Sequence, residues 1–340
     1  MLRRILARTP QLTRLPILRN RISGRALIGI DFGRHSIKAI ALRYQADTFH
    51  LEGISSVATP QGSIIDYQIQ PTPPLIEALH LLKSSLNVCT KEVATAVSGS
   101  SVTTKIVHAP ALFSDEVLAL HMQQEALQHL SSDLDDISVD YEVLGPSEQS
   151  PERNRMLLSV ARTEHIQARV DVLSQVGWQT KIVDIGSHAL ARATSFLWSK
   201  SLAAQVGVLD IGAQSMTFIV LDQGEVIHHR LQPLASDTIS VSADISQAPQ
   251  YTALIVQHTQ RNLQLYCSHT GHAPPEYLYL FGGGAGLPLL AEQLAQQLSV
   301  VVIPADFAGV FDLSSHQAVQ VFTFGTALGL ALRCGVSCQI

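Results

Sequence analysis

Asp31, Gly33, Ser36 and Lys38 stand in the same order and at the same spacings as Asp210, Gly212, Ser215 and Thr217, displaced throughout by 179 residues. These are the residue types that hold a polyphosphate. Carboxylates organise a magnesium ion and its waters, turn amides donate to anionic oxygens, glycines let the backbone approach closely, and a lysine adds positive charge. On that chemistry Asp31 and Asp210 are the candidate metal ligands. Gly33, Arg34, His35, Ser36 and Lys38 in the first copy, with Gly212, Ala213, Gln214, Ser215 and Thr217 in the second, form the candidate phosphate cradle. A single Asp-x-Gly is an ordinary hairpin turn, so the weight lies on its repetition. Gly282, Gly283 and Gly284 add a third candidate, a glycine loop between an apolar strand at Tyr277–Phe281 and a helix expected over Leu287–Leu298.

The segments around these residues explain how they would be positioned. Ala26–Leu42 and Val206–Leu221 each read as an apolar strand, the Asp-x-Gly turn and a second strand with alternating apolar residues. Each hairpin runs on into a third strand, at Thr48–Ala58 and Glu225–Leu231, so the chain is expected to hold two similar lobes. Leu75–Leu86 has helical spacing and leads to a strand at Val93–Val97, which gives the mixed sheet of an α/β fold. From Val93 to Lys181 strands and helices alternate in what reads as an inserted unit, with helices over Ser114–Leu130 and Thr163–Val176. Tyr251–Cys267 is a further helix, and Gln317–Arg333 carries a last apolar one whose small residues permit close packing.

Composition narrows the class. Hydrophobic residues make up 46% of the 340 and charged residues 15%, against about 25% charged in an average globular domain, so much of the chain is buried or covered by partners. No apolar run is long enough to span a bilayer, and Pro10, Arg14 and Pro16 interrupt any secretory leader, so a cytoplasmic protein is expected. The four cysteines are scattered and read as reduced thiols, and Cys267, His269 and His272 lack a fourth metal ligand at a fitting spacing. Residues 1–25 hold seven arginines and no acid, while the rest carries 16 basic against 28 acidic residues. That basic tail, with its leucines, fits either contact with an anionic membrane face or a disordered leader.

The sequences IGIDFGRHSIKAIAL, VGVLDIGAQSMTFIVL, LYLFGGGAGLPLLAEQL and FGTALGLAL resemble the two phosphate loops, the adenosine loop and the last connecting helix of the actin-like ATPases. The resemblance spans residues 26–332 and implies a duplicated, two-lobed α/β fold of the ribonuclease H-like kind. The 93–181 insertion, ahead of a connecting helix expected over Ile182–Trp198, looks like the extra subdomain shared by PilM and FtsA. Within that branch the chain is more similar to the PilM family, or its MSHA-pilus counterpart MshI, than to FtsA. On this resemblance residues 26–92, 182–205 and 318–340 form the first lobe, and 206–317 the second, with a shortened insertion at 232–274.

The resemblance further implies a cytoplasmic scaffold of type IV pilus assembly, apposed to the inner membrane, that binds ATP and Mg2+ with little or no hydrolysis. Its implied partner is the short cytosolic tail of a PilN-like membrane protein. No nucleic-acid partner is expected, and membrane contact and self-association stay open. Asp184 is the positional candidate to orient an attacking water, with a helix-capping aspartate as the alternative. Two departures put nucleotide affinity in question: bulky Arg34 and His35 in the first turn, and the mere 232–250 stretch where relatives carry a clamping subdomain. The competing readings are a sugar-kinase-like phosphotransferase and a filament-forming protein.

Overall fold

A computed structural model describes residues 25–99, 102–129, 137–198, 205–234, 248–313 and 320–335. The basic tail, apart from Arg25, and residues 235–247 of the expected short insertion lie outside these residues.

Strands β1 (Arg25–Phe32), β2 (Ser36–Gln45) and β3 (Thr48–Ala58) form an antiparallel meander. They read as nearly continuous apolar runs because both faces are covered. Leu27, Ile40 and Leu42 share one core with Ala189, Ala193 and Ala327, whereas Ile28, Ile30 and Ile37 share another with Leu75, Leu79 and Val172. Helix α1 (Pro73–Leu86) opens on two prolines, whose missing amides are unneeded in a first turn, and closes at Asn87 in the left-handed region (φ 47°).

Two parallel strands complete this sheet. β6 (Glu92–Val97) pairs with β1, and β10 (Gln179–Ile185) pairs with β6, giving the order β10-β6-β1-β2-β3. The second sheet has the same plan, β13-β12-β11-β14-β15, built from β11 (Val206–Ile211), β12 (Ser215–Asp222), β13 (Glu225–Pro233), β14 (Tyr277–Phe281) and β15 (Val301–Pro304). The echo extends below the level of sequence. Asp31 faces Lys38 across the first hairpin and Asp210 faces Thr217 across the second, and the ladder slips at Ala41/Leu42 in one lobe and at Val220/Leu221 in the other.

Two expected boundaries are corrected. The separate sheet, in the order β7-β9-β8, covers only 102–162, from β7 (Val102–Pro110) through α2 (Asp115–His129) and β8 (Ile137–Pro146) to β9 (Arg153–Arg162). Expected as part of the inserted unit, Val93–Val97 and the stretch from Thr163 to Lys181 belong to the first lobe. Val93 and Ala94 need cover on both sides and find it only in the middle of the large sheet, where Ile28 pairs with Val93. Helix α3 (Thr163–Gln175) places Val172 and Leu173 in the core that α1 also fills. The connecting helix α4 (Gly186–Leu197) starts later than expected, because Ile182, Val183 and Ile185 continue β10.

Helix α4 sits between the lobes, giving Ala189 and Ala193 to the first core and Leu190 and Ala191 to the second. It crosses α7 (Gly325–Ala331), which is shorter than the expected 317–333 helix and is flanked by 3-10 turns at Val321–Phe324 and Leu332–Gly335. A Cβ on Gly329 would lie 1.7 Å from the Ala189 carbonyl oxygen, so the crossing requires glycine. On the outer side of the second sheet, α5 (Ala248–Thr270) and α6 (Leu290–Leu298) complete the core. No described helix is long and apolar enough to cross a membrane.

Candidate functional site

The C-terminal ends of β1, β6 and β10 in one sheet, and of β11 and β14 in the other, open on a cleft of about 1070 Å³ between the lobes. Ligands of parallel α/β sheets collect at such ends, because the turns there expose backbone amides and are free of sheet pairing. Asp31, Gly33, Arg34, His35, Ser36 and Lys38 line it from one side. Asp210, Gly212, Ala213, Gln214, Ser215 and Thr217 line it from the other, and Gly282, Gly283 and Gly284 close one end. All the residues proposed from sequence for metal and phosphate contact thus meet in one cavity.

Each turn is stapled to its own sheet in the same way. The carbonyl of His35 accepts from the Thr59 amide (3.0 Å), and that of Gln214 accepts from the Leu234 amide (2.8 Å). Thr59 Oγ1 also donates to the Gly33 carbonyl at 2.6 Å. These bonds tie each turn tip to the residue that follows the third strand of its own meander.

The glycines answer to close approach. A Cβ on Gly33 would lie 2.6 Å from the Ser36 carbonyl oxygen and 3.1 Å from Lys38 Nζ. Gly282 adopts φ +83°, and a Cβ there would lie 2.5 Å from Asp210 Oδ1, so the third loop touches the second turn only because it lacks a side chain. At Gly283 nothing stands within 4 Å, which leaves that backbone open to the cleft.

Two carboxylates face one cavity, with Lys38 beside the first. Lys38 Nζ is 3.8 Å from Asp31 Oδ2 and also donates to the Ser36 carbonyl. Burial pushes the Asp31 carboxyl above its ordinary range, against the pull of Lys38 and Arg169. Burial, and then the Asp31 charge, push Asp210 up to about 6, with Lys38 opposing. Two buried acids facing one cavity, the second raised by the charge of the first, suit a divalent cation. No third His, Cys, Asp or Glu joins them among the described residues, which fits magnesium, an ion that keeps several waters and takes its remaining ligands from phosphate. The residue types present therefore fit ATP with Mg2+. Arg34 and His35 are exposed at the turn tip and add a guanidinium and an imidazole to the same wall.

Asp184 is elsewhere. It lies within β10 rather than at a helix start, is 1% exposed, and does not line the cleft. Its Oδ2 accepts from Arg192 Nη2 at 3.0 Å and its Oδ1 from the Ile185 amide at 2.8 Å, while Arg192 Nη1 bonds the Gly329 carbonyl. Alternation along the strand turns this side chain away from the cavity that Ile185 borders, so Asp184 is a structural ion pair rather than a water-orienting acid.

Sequence reasoning missed other parts of the wall. Asp66 and Tyr67, at the tip of a small hairpin formed by β4 (Ile64–Ile65) and β5 (Gln68–Ile69), line the cleft with Ser98 and Gly99 from the end of β6, His229 and Tyr251. The available signal was Ile64-Ile65-Asp66-Tyr67-Gln68-Ile69, two short apolar stretches around a two-residue turn, although Tyr67 at φ 66° is a rare occupant of such a turn.

The sequence model of the family described as type IV pilus assembly protein PilM matches residues 29–247 and 245–335. A solved structure described as the PilM–PilN type IV pilus biogenesis complex superimposes with a TM-score of 0.78 at 21% identity, over 94% of this chain and 100% of that one. Ethanolamine utilization protein EutJ from Carboxydothermus hydrogenoformans follows at a TM-score of 0.53 and 14% identity, over 92% and 91% of the two chains. The duplicated five-stranded sheets on either side of the cleft are those of the actin-like ATPase fold, and with a family match running from the first phosphate turn to the final helix, the chain belongs to the PilM family of type IV pilus assembly proteins.

Proposed function

We propose that this protein is a nucleotide-binding scaffold on the cytoplasmic, inner-membrane side of a type IV pilus machine. In this reading it takes ATP with Mg2+ into the cleft and captures the cytosolic tail of a PilN-like membrane protein. The observation that supports the nucleotide half most directly is the pair of stapled turns that bring Asp31 and Asp210 to one cavity. The amides of the two turns would hold the phosphate chain, Asp31 and Asp210 would hold the metal through its waters, and the Gly282–Gly284 loop would receive the nucleoside. When bound, the metal neutralises phosphate charge. The chain's own contribution is positioning: stapled turns, close glycine contacts and Lys38 beside Asp31. With Asp184 held by Arg192 instead of facing the cleft, the site favours holding nucleotide over turning it over.

The partner half rests on the inserted sheet. Val107, Ala109, Met156 and Leu158 face α2, so by alternation Ile106 and Leu157, cross-strand neighbours, face the other way. Ile106 is 39% exposed, and β7 and β8 are both sheet edges. A short extended peptide fits such a surface by adding backbone hydrogen bonds and burying a few apolar side chains.

The two halves are tested separately. A thermal scan with excess ATP and Mg2+ should raise the melting temperature, and a parent protein that shows no shift would end the nucleotide reading. Titration of a labelled PilN-type tail peptide should saturate with the parent and weaken strongly with Ile106→Glu, with circular dichroism to confirm folding. Unchanged binding by the folded variant would remove this face as the docking site.

A further inference from the structure

Arg169 is an ionic residue in a place where only a specific arrangement tolerates one. It lies on α3 and is 3% exposed. Its guanidinium bonds three backbone carbonyls from three segments: Nε to Ala96 at 2.8 Å, Nη1 to His165 at 2.7 Å and Nη2 to Tyr67 at 3.0 Å. Two of those segments are cleft wall. Ala96 is two residues before Ser98 at the end of β6, and Tyr67 lies against Gly99, where an added Cβ would come within 2.5 Å of the ring. A second strap runs alongside, with His165 Nε2 and Gln68 Nε2 2.8 Å apart.

We propose that Arg169 is a positioning residue for the cleft, fixing Tyr67 and the end of β6 in the first-lobe wall. The inference rests on the nucleotide reading given above. The three carbonyls set the requirement. Lysine could supply the charge, but not three donors in a rigid plane. The path also has a direction, because β9 of the inserted sheet ends at Arg162 and α3 begins at Thr163 with no loop between them. A displacement of the inserted sheet would therefore reach Arg169 through the helix it sits on.

The experiment uses the full chain. Calorimetric titration with ATP and Mg2+ should show affinity lower by about 10- to 100-fold in Arg169→Lys and Arg169→Gln, the order of loss expected when a group that orients a site from outside is removed. A purely structural strut would lower the melting temperature and leave the affinity of the folded protein unchanged, and that result would overturn the proposal. Hydrogen exchange on the parent decides the matter even if neither variant folds. Adding ATP with Mg2+ should slow exchange across residues 67–69 and 165–170, whereas slowing confined to 33–36 and 212–215 would overturn it. A parent that binds no nucleotide would remove the nucleotide reading and this inference together. A parent that binds, with variants that bind equally, would remove only this one.

Discussion

Arg192 reaches Asp184 at 3.0 Å, with side chains 4% and 1% exposed, and so places an ion pair in the layer where α4 crosses α7. Such a pair adds little net stability compared with apolar packing, yet half of it cannot be removed without leaving a buried charge. Asp184→Ala should cost about 3–5 kcal/mol in denaturant unfolding. Its folded fraction should bind nucleotide like the parent, which separates a structural acid from a catalytic one.

The metal ligands should behave in the opposite way. At one hundred times the dissociation constant, ATP with Mg2+ should stabilise the parent by about 2.7 kcal/mol. Asp31→Ala and Asp210→Ala should each abolish that gain in a melting experiment, without lowering the stability of the ligand-free protein.

The pH dependence carries a sign that can be checked. Asp210, with a folded value near 6 against 3.8 unfolded, binds more protons folded than unfolded across that window. Its contribution to stability therefore falls as pH rises through the window, by on the order of 3 kcal/mol once it is ionised. His188 opposes it. Burial holds it at about 4 against 6.5, so its contribution rises with pH over nearly the same range. Asp210→Asn should leave the His188 slope uncovered, and denaturant melts of this variant should show stability climbing from pH 4 to 6.5 more steeply than in the parent. Parallel pH profiles would contradict the assignment.

Two glycines give a paired test of packing against exposure. Gly329→Ala drives a methyl into the Ala189 backbone at 1.7 Å, and should cost more than about 3 kcal/mol or block folding, since neither helix can move away without opening a lobe. Gly283→Ala meets nothing within 4 Å and should leave the melting temperature nearly unchanged, while ATP affinity reports whether that open backbone faces the ligand.

Much of the fold was legible because its signals are local. The Asp-x-Gly hairpins, Thr48–Ala58 and Tyr277–Phe281 each declare themselves within a dozen residues, and the structure places them at those bounds. Where the inserted unit starts was not legible, since Val93–Val97 was expected both to complete the first mixed sheet and to open the insertion. Val93–Val97 reads as an apolar strand in whichever sheet it joins, and the parallel partners that settle the matter, Ile28 and Ile182, are distant in sequence. Asp184 was misread for a related reason, since a carboxylate beside an apolar run reveals neither the Arg192 it meets nor the face on which it lies. Arg169 did leave a trace. It stands on the same helical face as Ile166, Val172 and Leu173, all buried, and a charge in phase with core positions signals a fixed partner.

The order in which the polypeptide emerges during synthesis sets the order in which the lobes can mature. Strands β11 to β15 run from 206 to 304 with everything they pair with in that span, so the second lobe can assemble its sheet as it leaves the ribosome. The first sheet also pairs locally, between residues 25 and 185, but part of its cover is made last. One of its faces, at Leu27, Ile40 and Leu42, is covered by Phe324, Ala327, Leu328 and Leu330. A Cβ on Gly29 would lie 2.1 Å from the Ala327 carbonyl oxygen, so the fit is backbone against backbone. Nascent chains halted before residue 324 should therefore hold an apolar sheet open to solvent, where chaperones bind. Among the described residues, those of β1 are the first made, yet one of their faces is among the last to be covered.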